Sequence, residues 1–167
     1  MNQVVRNFMR QQGFADEPSD ACDMHFAGLY FQPRIMFAFV LLGILFQSGP
    51  LFLLLSAVLW WNALAPRGNP FEAVYNRFIA GPRGTPQLTP APGPRRFAQG
   101  MAAAFLLGAG LARLSGLTVL SWVLQGFLVV AFSALLFGRF CLGAYVYHLL
   151  KGRVAFANST LPWARPD

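Results

Sequence analysis

Acidic side chains are scarce in this sequence. Six Asp and Glu stand against thirteen Lys and Arg, and charged residues of either sign make up 11% of the chain, where soluble domains carry roughly a quarter. No Asp or Glu falls inside a long apolar stretch, so paired catalytic carboxylates have no place to form there. Cysteine is nearly absent: Cys22 and Cys141 make no CxxC, and their wide separation gives no metal-finger spacing. Phosphate-loop and serine-hydrolase motifs are missing. The N-terminal stretch carries acids and lacks an apolar core of roughly 7–15 residues. A cleavable secretory leader is therefore not expected, and the first apolar helix is expected to direct insertion.

Long apolar runs dominate instead, with 56% of residues hydrophobic. Residues 35–64 read IMFAFVLLGILFQSGPLFLLLSAVLWWNAL. Residues 98–150 are apolar almost throughout, with only Arg113, Arg139 and His148 as charged or readily charged side chains. Such segments need lipid or a very large protein interior, and 167 residues cannot build one. The sequence predicts an all-α membrane protein: four transmembrane helices as two helical hairpins, with an interfacial amphipathic helix between them. The net charge of +7 sits in the loops, the pattern of a protein facing anionic lipid. The arginines form no stripe with interleaved aromatics, which argues against nucleic acid.

The expected organisation is a cytoplasmic segment 1–25, a membrane domain 26–152 and a tail 153–167. Within 1–12, Met1, Val4, Val5, Phe8 and Met9 share one helical face away from Arg6 and Arg10; this is either a basic helix on the membrane surface or a frayed terminus. The spans are about 26–47, 50–65, 97–114 and 118–150. Pro33 is a potential kink in the first, Arg34 is placed to snorkel, and Ser48-Gly49-Pro50 is the first tight turn. Residues 69–80 carry a helix signature: Asn69 as N-cap, Pro70 at the first position, and Glu72 where a capping-box acid belongs. Phe71, Val74, Tyr75 and Phe78 form its apolar stripe. The proline-rich stretch 81–96 is expected to be a loose loop. Trp60, Trp61, Phe71, Tyr75, Phe78, Trp122, Tyr145 and Tyr147 are expected interfacial anchors.

Arginine counting sets the topology. Four spans place the N-terminus, the 66–96 loop and the C-terminus on one side, and those segments hold nearly all the basic residues, with Arg113 opposite. The positive-inside rule then puts both termini in the cytoplasm of a bacterial inner membrane.

A few residues are candidates for more than packing. Gly100, Ala104, Gly108, Ala112 and Gly116 recur every four residues and predict a small-residue face that another helix can approach, in this chain or in a partner. Arg139 is an intramembrane charge with a functional or a structural role, and Glu72 or backbone carbonyls are candidate acceptors. Ala144 and His148 are spaced so that a flat macrocycle could lie on the helix with the imidazole on its metal, a bacteriochlorophyll or haem; the alternative is an interfacial histidine. Asp20, Cys22, Asp23 and His25 offer metal-type side chains at a spacing that matches no metal site, and no metal is predicted. Cys22 and Cys141 map to the same half and are candidate thiols, paired or independent.

Three stretches carry a resemblance: NPFEAVYNRFIAGPRGTP, PRRFAQGMAAAFLLGAG and FGRFCLGAYVYHLL. With the two-plus-two spans, they resemble a bacterial membrane family described as domain of unknown function 4395, over roughly residues 22–152. The family pattern closes on a CxGC-like pair followed by tyrosine; here Cys141 fills the first position and Ala144 the second. The resemblance implies the fold, and it implies a thiol-redox or sulfur-handling role through association with thioredoxin-like proteins, a role the missing second cysteine counts against. The function expected from the residues is non-enzymatic: an accessory or scaffolding subunit of a larger respiratory or photosynthetic membrane complex, with lipids and other transmembrane subunits as partners. A thiol protein using Cys141 and a small transporter are the alternatives.

Overall fold

A computed structural model describes residues 3–14, 28–85 and 87–164. Among them every regular element is helical. The elements that position the site are α1 (Gln3–Gln12), α2 (Phe31–Leu45), α3 (Gly49–Leu64), α4 (Pro70–Tyr75), α5 (Gly93–Leu114), α6 (Thr118–Leu136), α7 (Leu142–Leu150) and α8 (Val154–Ser159). At 1.5 Å per residue, α5 and α6 run about 33 and 28 Å, long enough for a hydrocarbon core of about 30 Å; α2 and α3 reach only about 22 and 24 Å. Two helices are thus long and apolar enough to cross a membrane, and two are apolar but shorter.

Helices α2, α3, α5 and α6 form a four-helix bundle of two hairpins. Its centre is Met36 and Val40 from α2, Phe52, Leu55 and Leu59 from α3, Ala103 and Leu106 from α5, and Leu128 and Phe132 from α6. The first hairpin turns at Gln47, whose φ of 47° is left-handed. Ser48 caps α3 by accepting from the Leu51 amide at 3.3 Å, and Arg113 holds the turn from α5 by donating to the Gln47 carbonyl at 3.2 Å. Pro33 does not kink α2. It stands in the first turn, where a missing N–H costs nothing. Arg34 is exposed and lies over the Tyr30 ring, 5.7 Å from its centroid.

The most extensive helix pair is α3 against α5. A Cβ on Gly49 would lie 3.3 Å from the Gly110 carbonyl oxygen. Ser56 donates to the Ala103 carbonyl at 2.8 Å, and Arg96 donates to the Ala63 carbonyl at 2.8 Å. These contacts step seven residues along each helix in opposite directions, the repeat of an antiparallel coiled coil. Small residues or short hydroxyls stand at each step, so the backbones come close enough for side-chain-to-carbonyl bonds.

Three expected boundaries change. The helix expected over 118–150 is two helices, α6 and α7, separated at 137–141. Gly138 and Arg139 occupy the break, and Arg139 has a φ of 51°. The third span starts at Gly93 rather than 97, because Pro94 falls in the first turn, where proline is tolerated. The stretch before it is not loose: Asn76 donates to the Leu88 carbonyl at 3.1 Å and accepts from the Leu88 amide at 2.7 Å. The 69–80 helix forms with Asn69 as its cap, accepting from the Phe71 amide at 3.0 Å, and passes into a π-turn over Asn76–Ala80. Its inward face is not the apolar stripe. Glu72, Tyr75 and Ala80 are buried, while Val74 and Phe78 are exposed.

A polar-ended cavity as candidate functional site

At one end of the bundle α1, α4, α7 and α8 form a cap, and α1 and α7 border a cavity of about 140 Å³. Its apolar arm runs between α2, α5 and α6 past Met36, Ala102, Phe105, Leu128 and Ala131. Its polar lining is Gln12, Gln32, Arg95, Gln99 and Cys141. The helical pitch explains the pairing of Arg95 with Gln99: four residues apart on α5, they share a face. Gln32 enters from the first turn of α2, Gln12 from the end of α1, and Cys141 from the break.

These polar groups form a chain of hydrogen bonds. Gln99 Nε2 donates to Gln32 Oε1 at 3.0 Å. Asn69 Nδ2 reaches the same oxygen at 3.4 Å and Glu72 Oε1 at 3.1 Å. Arg95 is buried and donates to the Leu29 carbonyl at 3.5 Å. Gln99 Oε1 is buried with no partner. Burial pushes the Glu72 carboxyl above the usual carboxylate range, opposed first by the nearby Arg95 charge and then by the Asn69 bond. Burial likewise pushes the Cys141 thiol up, against the Ala144 amide, the Gln12 side chain, Arg95 and the Gly143 amide. A thiol held this way is a poor nucleophile.

Helix α1 is docked rather than laid on a membrane surface. Asn7 and Gln11 are wholly buried along with Phe8 and Met9. Asn7 donates to the Leu161 carbonyl at 2.9 Å. Gln11 accepts from the Cys141 amide at 2.8 Å, donates to Thr160 at 3.4 Å, and presents its carbonyl to His148 Nε2 at 3.1 Å. Sequence reasoning saw the apolar face of this helix and missed its amides. The signal was present, because Asn7 and Gln11 sit four apart beside the buried Phe8.

The expected site residues are distributed as follows. Gly100 faces Trp60, Gly108 faces Leu124, Ala112 is buried, and Ala104 and Gly116 are exposed. A four-residue repeat drifts about 40° per step around a helix, so the ladder winds from α3 toward α6 rather than forming one face. The small-residue contact with α3 instead uses Ala103 and Gly110. Arg139 lies in the α6–α7 break, and the cation beside Glu72 is Arg95. His148 and Ala144 are buried. The imidazole packs edge-on to Phe156 and Tyr147, at 4.8 and 5.4 Å between centroids. Its Nε2 donates to the Gln11 carbonyl and Nδ1 has no partner. Tyr145 donates to Asn158 at 2.9 Å, Tyr147 packs tilted against Phe97 at 5.8 Å, and Trp61 donates to the Gly68 carbonyl at 3.0 Å. Trp60, Trp61 and Trp122 are exposed. Cys22, with Asp20, Asp23 and His25, lies outside the described residues, as does Met1. Among the described residues no cluster of three potential metal ligands occurs.

Residues 24–152 match the family described as Domain of unknown function (DUF4395). The chain belongs to that family. The match takes in the bundle, α4, the break and α7, so the polar-ended cavity lies largely within the family domain, and α1 and α8 are contributed from outside it. No curated protein and no solved structure matches the chain.

Proposed function

We propose that this DUF4395 member is a multi-pass protein of the bacterial inner membrane. All four bundle helices enter the bilayer, and the cap and both termini lie on the cytoplasmic side. One observation supports this most strongly: the distribution of polarity is inverted. Leu45, Val119, Phe127, Val130 and Phe137 are exposed, whereas Gln11, Asn62, Arg95, Gln99 and Gln125 are buried. The most apolar window of α6 is only 22% buried, unlike the core helix of a soluble protein. The short α2 and α3 are accommodated by local thinning of the bilayer and by the exposed Arg34, Trp60 and Trp61 at their ends.

Its role is that of a non-enzymatic accessory subunit of a larger membrane assembly. The reading is supported by the use made of the cap's polar side chains, which tie backbone segments together. The small-residue ladder of α5 argues for it less, since Gly100 packs against Trp60 and Gly108 against Leu124. Gentle native purification of the tagged protein from its own membrane, followed by mass spectrometry and an absorption spectrum, tests it. Stoichiometric co-purification with other transmembrane subunits is expected; a lone protein surviving several mild detergents would overturn it. A thiol-handling role is the second reading, and it rests on the position of Cys141, a buried thiol that lines the cavity. Replacing Cys141 with serine separates the two: a redox phenotype lost with assembly intact selects the thiol role.

A further inference from the structure

We infer that the cavity binds a single-chain amphiphile whose head carries an oxygen acceptor beside an O–H donor. The head lies between Arg95 and Gln99, and the chain lies along Met36, Phe105 and Leu128. This goes beyond the accessory role and does not depend on it.

Three features of the cavity converge on that chemistry. The first is Gln99. Its amide nitrogen is committed to Gln32, which leaves Oε1 as a buried acceptor with no partner, and Gln99 is only 8% exposed. A buried acceptor left empty is costly, so a donor is wanted at this point. The second is Arg95, buried beside it on the same helix face. A guanidinium carries five donors, and its contact with the Leu29 carbonyl is long, at 3.5 Å. An oxygen acceptor on the same head can take the donors that Leu29 and the nearby Glu72 charge leave open. The third is the arm. Its walls are aliphatic and aromatic, and an empty space of this kind forfeits the dispersion contacts of its lining. Water could serve Gln99, but an apolar arm stays dry.

Size and access agree. The cavity volume of about 140 Å³ is close to that of an apolar protein cavity, ~150 Å³, that takes up benzene. The cavity thus holds one ring or a short length of chain, and the rest of the ligand must leave it. Phe127 and Leu142 border the cavity and are also 60% and 42% exposed, so its lining passes directly into the outer apolar surface. A ligand dissolved in lipid can enter there without crossing water.

A long-chain fatty acid in its protonated form and an alkyl hydroquinone both present this donor and acceptor pair. The test uses the full chain in phosphatidylcholine nanodiscs, titrated separately with radiolabelled dodecanoic acid and a decyl hydroquinone. Saturable binding near one per chain is expected for at least one probe, and which probe saturates identifies the source of the head. Gln99→Leu should weaken binding about tenfold, the loss of one buried hydrogen bond. Ala131→Phe, which fills the arm away from the polar chain, should abolish it with helical circular dichroism unchanged. Ala102→Phe repeats that test from α5, so the inference stays falsifiable if Gln99→Leu fails to fold. Absence of saturable binding by both probes, or undiminished binding in both arm-filling variants, would overturn it.

Discussion

In the bundle, Ser56 and Ser121 each donate to a carbonyl of α5, at 2.8 and 3.1 Å, and the packed centre is apolar. In the cap, Asn7, Gln11, Asn69 and Asn76 reach across the chain to backbone groups or to other amides. The two regions solve different problems. Helices already satisfy their own backbone, and lipid is as apolar as leucine, so the bundle needs close approach rather than hydrophobicity to hold it together. The cap is built from short helices, a break and a proline-rich crossing, whose backbone groups lack helical partners. Side-chain amides supply those partners, and the chain places them on α1 and at either end of α4 to do so.

If close approach holds the bundle, a side chain at the α3–α5 contact should do the most damage. A Cβ on Gly110 would lie 2.9 Å from Leu53 and 3.1 Å from the Gly49 carbonyl. Gly110→Val is expected to destabilise by about 3 kcal/mol, read as a lowered denaturation midpoint in detergent, while Ala104→Val on the exposed side of the same helix changes little. Equal midpoints for the two variants would show that α5 has no special face. The cap should break next. Gln11→Leu removes the acceptor of the Cys141 amide and leaves a buried N–H unpaired, a loss of about 2 kcal/mol. Hydrogen exchange at Cys141 and in α7 should rise while α3 and α5 keep their protection. Uniform loss of protection would mean the cap and bundle unfold as one unit.

The bundle was largely legible and the cap was not, and the same physics explains why. Apolar runs and the Ser48 and Asn69 caps are local signals, so the hairpins and the start of α4 could be read directly. The cap depends on pairings between residues such as Asn7 and Leu161, far apart in sequence and without a period to reveal them. Arg95 was hidden for a related reason: prolines at 92 and 94 suggested a loop, but Pro94 stands in the first turn of α5 and carries Arg95 into the interior. Arg139 drew notice because it interrupts an apolar run, and the structure shows the run itself interrupted there. Of the residues at the polar cavity end, Cys141 alone was legible as a candidate, and the site as a whole was not.

Acidity sharpens the comparison, because Glu72 belongs to the cap. Its folded pKa is raised by burial, so between the unfolded and folded values the native state binds more protons than the unfolded one. Stability from this group is complete below the unfolded pKa and is lost as pH rises through the folded one. Glu72→Gln should therefore flatten the fall in denaturation midpoint with rising pH over that window and raise the midpoint above it. A midpoint unchanged by the variant at every pH would mean that the carboxyl is not desolvated in the native cap.

The smallest expected effect lies where the two regions join. Arg139 adopts a φ of 51°, a left-handed conformation that costs a residue with a Cβ about 1 kcal/mol and costs glycine little. Arg139→Gly relieves that strain and loses the side chain, while Arg139→Ala loses the side chain and keeps the strain. The glycine variant gives back part of its gain through the greater freedom of its unfolded chain. It should still be the more stable of the two, by up to about 1 kcal/mol in paired denaturation curves. The reverse order would mean that the break between α6 and α7 is not held in this geometry in the folded protein. The junction would then belong to the bundle's continuous helix, as the apolar run of the sequence first suggests, rather than to the cap.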